Sequence, residues 1–251
     1  MHRFYLPPEN CKSATLTLSE RDSHHAADVL RIREGETVTV LDGVGRELQC
    51  VVRSVRRKAV DLETLSIKTS PPLPFSLTLA QAVPKGKLIE YIIQKATELG
   101  ATCVQPVLSE RVVLRLDDED AAQKAEKWQQ VAIEAIKQCG QTWLPRIEPP
   151  KSLTDCLAAA DKPELSLIGS LQPGATHPRL RFDHFRTKRH RNPQSACVWI
   201  GPEGDFTPEE MTAILGSGVL PVTFGPLVLR SETAALCALS IAAYELRLTD
   251  F

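Results

Sequence analysis

"VWIGPEGDFTPEEM", Val198 to Met211, opens as an apolar run and closes as a signposted helix start. Thr207-Pro208-Glu209-Glu210 has the form of a capping box, with proline at the first helical position. The helix start is thereby fixed, and "GPEGD" between the two becomes a short loop at the carboxyl end of a buried strand. Two glycines in such a loop carry a cost in conformational entropy. They point to a backbone left bare for close approach, and a ligand is one candidate for the space.

Two more stretches share this build. In "FGPLVLRSETAAL", Phe224 to Leu236, Gly225 and Pro226 follow a strand, and Ser231 with Glu232 begins an alanine-rich helix. "LIGSLQPGAT", Leu167 to Thr176, supplies Gly169 and Gly174 at a third strand end. Open α/β sheets bind ligands in the crevice beyond their strands' carboxyl ends. Three glycine-bearing loops at equivalent ends therefore predict a pocket. The chain has neither GxGxxG nor GxxxxGK[ST], which argues against Rossmann dinucleotides and P-loop nucleotides. The Gly-x-Ser-x-Gly elbow of esterases is missing too.

Around these loops the pattern alternates strand and helix. "FSLTLAQAV" reads as a strand, "GKLIEYIIQKATELG" as a helix, "CVQPVLS" as a strand and "EDAAQKAEKWQQVAIEAIKQCG" as an amphipathic helix ended by Gly140. "LSLIGSL", "ACVWIGPEG" and "VLPVTFG" are further apolar strands. Strands apolar on both faces, with helices between them, predict a mostly parallel, doubly covered sheet. Up to about Lys68 the rhythm differs. Short strands such as "ATLTL", "ETVTVLDG", "ELQCVVRSV" and "AVDLETLSI" are interrupted by one helical insertion, "HHAADVLRI". "LDGVGRE" reads as a hairpin connection, with Gly43 and Gly45 free to take positive φ. The prolines of "SPPLP" (Ser70 to Pro74) break the pattern, which sets domains of 1–72 and 73–251.

The 251 residues are 43% hydrophobic and 24% charged, with a formal net charge of -1. A nucleic-acid surface must then come from local clustering. Basic clusters do occur at "RSVRRK" (Arg53, Arg56, Arg57 and Lys58) and at "RLRFDHFRTKRHRN", 179–192. The latter reads either as a holder of phosphate backbone or as a flexible connector. Seven single cysteines without a CxxC pair argue against zinc and fit a reducing cytosol. No signal peptide or membrane span is visible, so a cytoplasmic location is expected.

"KATELG", "SER", "QCG", "IGPEG" and "LRSETA", in this order, resemble the bacterial 16S ribosomal RNA uridine N(3)-methyltransferase family, of the SPOUT class. "HRFYL" and the pattern from His25 to Gly43 match as well, so the resemblance spans nearly the whole chain. It implies an N-terminal PUA-like, RNA-binding β-barrel and a C-terminal SPOUT α/β domain tied in a trefoil knot. It also implies a homodimer, S-adenosylmethionine as methyl donor, no metal, and small-subunit ribosomal RNA or the small ribosomal subunit as substrate.

In relatives the matching loops wrap the cofactor, so side chains on Gly201 and Gly204 are expected to occupy its space. Carried over, the cofactor wall is Ile200, Gly201, Pro202, Glu203 and Gly204 after one strand, with Leu171 opposite. Phe224, Gly225, Pro226, Leu229, Arg230, Thr233 and Ala234 complete it. Arg230, just before a helix start, is the expected cation for charge developing on uracil, the alternative being a structural salt bridge to Glu232 or to a neighbouring chain. Glu232 and Glu203 are possible bases or partners for the cofactor's positive charges. For RNA, Arg3, His25, Arg31 and Arg33 match or adjoin family positions, and Lys85 and Arg111 stand at strand ends. The chain departs from the family at Asp205, commonly glycine, and at Leu227, commonly arginine. Lys137 and Gln141 stand where glutamate and arginine are usual. A non-catalytic RNA-binding protein, or a SPOUT methyltransferase acting on another RNA or atom, are the alternatives.

Overall fold

A computed structural model describes residues 2–112, 117–160 and 162–247. The chain divides into two compact units, Met1–Pro72 with Ile133–Leu144, and Leu73–Ala132 with Pro145–Phe251.

The first unit holds β1 (Arg3–Tyr5), β2 (Thr15–Thr17), α1 (Glu20–His24), β3 (Thr37–Leu41), β4 (Arg46–Arg56) and β5 (Ala59–Thr69). They form a five-stranded sheet in the order β1-β3-β4-β5-β2. Alternation of apolar residues puts Phe4, Leu16, Val38, Val40, Leu48, Val52 and Leu62 in one core. The long β4–β5 pair shifts register between Gln49 and Cys50 and again between Val52 and Ser54, as strands that must curl do. Gly43 and Gly45 take φ of +75° and +100° in the β3–β4 turn. Gly45 also has no room for a side chain, since a Cβ would stand 2.6 Å from the Ser70 carbonyl. β1, at three residues, is too short for strand alternation to show in the sequence. "HHAADVLRI" is helical as read, with a π turn over His25–Val29.

The second unit begins with β6 (Ser76–Ala82), α2 (Leu88–Glu98), β7 (Cys103–Leu108) and α3 (Asp118–Cys139), whose residues from Ile133 belong to the first unit. β8 (Arg146–Ile147), β9 (Lys151–Ser152), α4 (Leu153–Ala158), β10 (Leu165–Gly169) and α5 (Pro178–Arg189) follow. β11 (Ser195–Ile200), α6 (Pro208–Gly216), β12 (Leu220–Val222) and α7 (Ser231–Arg247) complete it. The strands pair in the order β12-β10-β11-β6-β7-β8, with β9 also on β7, and every pairing is parallel. Helices α2, α5 and α7 lie together against one face. On the other, α4 and α6 bury Leu153 and Ile214 against Ala80, Cys197 and Trp199. The sheet is thus covered on both sides, as its apolar strands require.

The basic stretch 179–192 is no connector, because most of it is α5. Pro178 begins the helix, the His177 ring accepts from the Arg179 amide, and Phe182 is fully buried. Arg186 anchors it to α7, 2.7 Å from the Glu245 carboxylate. No helix among the described residues is long and apolar enough to cross a membrane.

Candidate active site

A cavity of about 550 Å³ opens at the carboxyl ends of β10, β11 and β12. Its walls are the three loops singled out by their glycines. Gly169 to Leu171 leave β10, Ile200 to Asp205 leave β11, and the run from Phe224 to α7 closes the third side. Strands that end side by side in a parallel sheet bring these distant segments together.

The β11 loop is braced from three directions. Ser231, first residue of α7, donates its hydroxyl to the Gly201 carbonyl at 2.7 Å. The Lys85 amide, beyond β6, donates to the Glu203 carboxylate at 3.1 Å. Arg111, beyond β7, donates its guanidinium to the carbonyls of Gly204 and Asp205. Past the loop, the capping box of α6 is complete in both directions between Thr207 and Glu210. The other Glu210 oxygen accepts from the Glu110 amide at 2.8 Å.

Two of the loop glycines are hemmed in by the walls themselves. A Cβ on Gly201 would stand 2.9 Å from the Asp205 carboxylate, and one on Gly204 would only touch Arg111 at 3.5 Å. On Gly169 it would strike the Phe224 ring at 2.8 Å. Gly201 and Gly169 thus let the walls close on themselves. Asp205 sits at φ +61° and accepts from the Phe206 amide at 2.8 Å. Aspartate tolerates that left-handed conformation better than most residues, so the turn forms here without a glycine.

Of the expected cofactor residues, Leu171, Ile200, Gly201, Pro202, Glu203 and Phe224 line the cavity, as do Gly225, Leu229, Arg230 and Ala234. Gly204, Pro226 and Thr233 do not. Sequence reasoning missed Leu88, Ser170 and Ser231 as lining residues, and Val228, which is 78% exposed beside Leu227. Both expected catalytic residues, Arg230 and Glu232, are in the wall. The Arg230 side chain is exposed and makes no ion pair with Glu232 or any other described residue. Charge in the lining is uneven, with Glu203, Asp205 and Glu232 against one guanidinium.

The RNA candidates divide. Arg31 and Arg33 are exposed and unpaired among the described residues, and His25 is exposed. Arg31 is held at φ +55°. Arg3 is occupied, donating to the Gln138 carbonyl at 3.0 Å. Every cation of "RSVRRK" has an acidic neighbour: Arg53 pairs with Glu63, Arg56 with Asp61, Arg57 with Asp28 and Lys58 with Glu20. Lys137 is likewise absorbed, 3.0 Å from Asp22 in the first unit. Lys85 meets the β11 loop through its backbone amide, and Arg111 through its guanidinium. No group of three metal-ligating side chains occurs among the described residues.

The family model for an RNA methyltransferase domain matches residues 71–243. The chain belongs to that family. A second model, for an RNA methyltransferase PUA domain, matches 18–65, inside the first unit. A Ribosomal RNA small subunit methyltransferase E from Synechocystis is 32% identical over 95% of this chain and 76% of its own. One of the same description from Bacillus subtilis is 29% identical over 94% and 93%. Among solved structures, a methyltransferase from Legionella pneumophila with bound S-adenosylmethionine superposes with a TM-score of 0.84. It is 33% identical and each chain is covered to 96%. A Ribosomal RNA small subunit methyltransferase E from Neisseria gonorrhoeae, also bound to S-adenosylmethionine, gives 0.84 at 29% identity, with 97% of each chain covered. The likeness to this methyltransferase family thus covers both units.

Proposed function

We propose that this chain methylates ring nitrogen N(3) of a uridine in 16S ribosomal RNA, with S-adenosylmethionine as donor. The observation that carries the reading is Arg230, unpaired at the wall of a cavity built by three strand-end loops. The relatives' names and the cofactor in two of the solved structures support it. The cavity fits the donor. Its volume lies in the range of small-molecule sites, and its carboxylate excess suits a ligand bearing a sulfonium and an ammonium.

When bound, that sulfonium supplies the methyl group. The reaction is an in-line displacement, so the three walls contribute by holding two reactants in one geometry. The uracil N(3) must lose its proton to attack. Glu232 is the candidate to receive it, and Arg230 the candidate to stabilise the charge that spreads onto the flanking carbonyl oxygens. Arg31, Arg33 and His25 are proposed to hold RNA on residues 1–72, with Arg3 ordering its own unit. Lys85 and Arg111 are proposed to act at the RNA-facing edge of residues 73–251 while bracing the β11 loop. The strand order β12-β10-β11, which sends the chain from β11 past β10, supports the trefoil knot of the class. A cytoplasmic homodimer completes the proposal.

Labelled methyl transfer to naked 16S RNA, to a precursor particle and to the assembled small subunit tests the reading, with nucleoside mass analysis of each product. N(3)-methyluridine at one position is expected. Label on another atom, or on none of the three substrates, refutes it.

A further inference from the structure

Gln81 is a glutamine in the middle of an otherwise apolar strand, completely buried at the carboxyl end of β6. Its amide nitrogen donates one hydrogen to the Ala82 carbonyl at 2.9 Å and the other to the Ser231 hydroxyl at 3.0 Å. Both donors are therefore committed. Ser231 has a single proton, and it goes to the Gly201 carbonyl at 2.7 Å. The chain of donors runs one way, from β6 through the first residue of α7 to the first residue of the β11 loop.

The Gln81 side-chain oxygen is buried and has no partner among the described residues. Turning the amide over would not relieve it, because the oxygen would then face the Ala82 carbonyl. An unpartnered buried carbonyl is unfavourable, and a methionine of similar volume would avoid it. What the glutamine supplies in return is a fixed polarity for Ser231, which lines the cavity.

We propose that Gln81 is a positioning residue of the methyl-transfer site, fixing the direction of the Ser231 hydroxyl and thereby the spacing of the Gly201 and α7 walls. The proposal rests on the cofactor reading above for its affinity consequence, though not for its structural one. With Gln81 in place, Ser231 is an acceptor toward anything that enters the cavity. Without it, the hydroxyl can turn and the two walls are tied only by a bond free to rotate.

Two measurements on the full chain test this. The first is hydrogen exchange without ligand. Gln81→Met should speed exchange several-fold at the Asp205 amide, bonded to Pro202, and the Ala234 amide, bonded to Arg230, and leave Leu99 in α2 unchanged. The second is calorimetric titration with S-adenosylmethionine. Gln81→Met and Ser231→Ala should each weaken binding between about twofold and tenfold, the range set by one hydrogen bond. The double variant should be no weaker than Ser231→Ala, because the two residues act as one chain. Ile93→Val, in the core of α2, should lower the melting temperature without changing affinity, which separates positioning from stability. Unchanged exchange in Gln81→Met, or affinity losses that multiply in the double variant, overturns the proposal. A wild-type protein that binds no S-adenosylmethionine but shows the exchange difference overturns the cofactor reading and upholds the positioning.

Discussion

Gly201→Ala is the sharpest perturbation of the site that leaves its chemistry untouched. The new methyl would lie 2.9 Å from the Asp205 carboxylate oxygen, closer than real Cβ contacts come, and 3.4 Å from the Phe206 ring. The ring contact can relax by a few tenths of an ångström. The carboxylate must swing away, and it then gives up the Phe206 amide at 2.8 Å. Loss of a hydrogen bond to a charged acceptor, partly regained from water, should cost about 1–2 kcal/mol. For a unit of this size that lowers the melting temperature by roughly 4 °C. The cofactor walls move with the loop, so affinity for S-adenosylmethionine should fall alongside. Two companions isolate the cause. Gly204→Ala meets only Arg111 at 3.5 Å and should melt within about 1 °C of wild type. Asp205→Gly removes the obstructing carboxylate at a position already at φ +61°, so Gly201→Ala added to Asp205→Gly should have little further effect. Scanning calorimetry and cofactor titration read both quantities. If Gly201→Ala melts like wild type, or its cost persists in full beside Asp205→Gly, the contact reasoning is wrong.

If the guanidinium acts, as proposed, on charge present only in the transition state, Arg230→Ala should lower single-turnover methylation by about a hundredfold at saturating cofactor, with affinity near wild type. Arg230→Lys should recover part of the rate, and an unchanged rate in the alanine variant would make Arg230 structural. Reversing Arg31 and Arg33 to glutamate should weaken RNA binding and flatten its salt dependence by about two counterions, whereas Arg57→Glu, whose charge Asp28 already offsets, should do much less. Filter binding across a salt series measures this, and equal slopes for all three would refute the division. Glu164 is held down to about 2 from 4.5, chiefly by its hydrogen bond to Arg191 and then by the Gln194 amide. A carboxyl depressed on folding stabilises the protein above its unfolded value and loses that contribution as pH falls toward the folded one. The melting temperature of Arg191→Ala should therefore lie below wild type at neutral pH, and the gap should close between about pH 4.5 and 2. A gap independent of pH would remove the linkage.

How much of this was legible depended on whether the signal was local. Helix α6 could be read residue by residue, because Thr207, Pro208 and Glu210 are its cap and its first turn. Three strand-end loops were legible as glycine-bearing breaks between apolar runs, and the structure joins them in one cavity. Helix α5 was obscured by composition. It buries Phe182, Pro178 and Arg186, and basic residues are spread around the rest of it, so no apolar stripe announced it. Pairings between distant residues were out of reach. Nothing near Arg111 shows that its guanidinium is spent on carbonyls 93 and 94 positions away. The acids that neutralise "RSVRRK" come partly from α1 and the π turn after it, so the cluster read as freer than it is. Gln81 did leave a trace, a lone amide in "LTLAQAV", and its meaning emerged only with Ser231 beside it.

Glu210 divides its two oxygens between different tasks. One completes the cap of α6 on the Thr207 amide, and the other holds the Glu110 amide at the end of β7. Fraying of α6 and departure of the β7 end are therefore one cooperative opening event. Amides 110 and 207 should share a single opening free energy, although 97 positions separate them along the chain. One carboxylate makes a helix end and a strand end keep the same time.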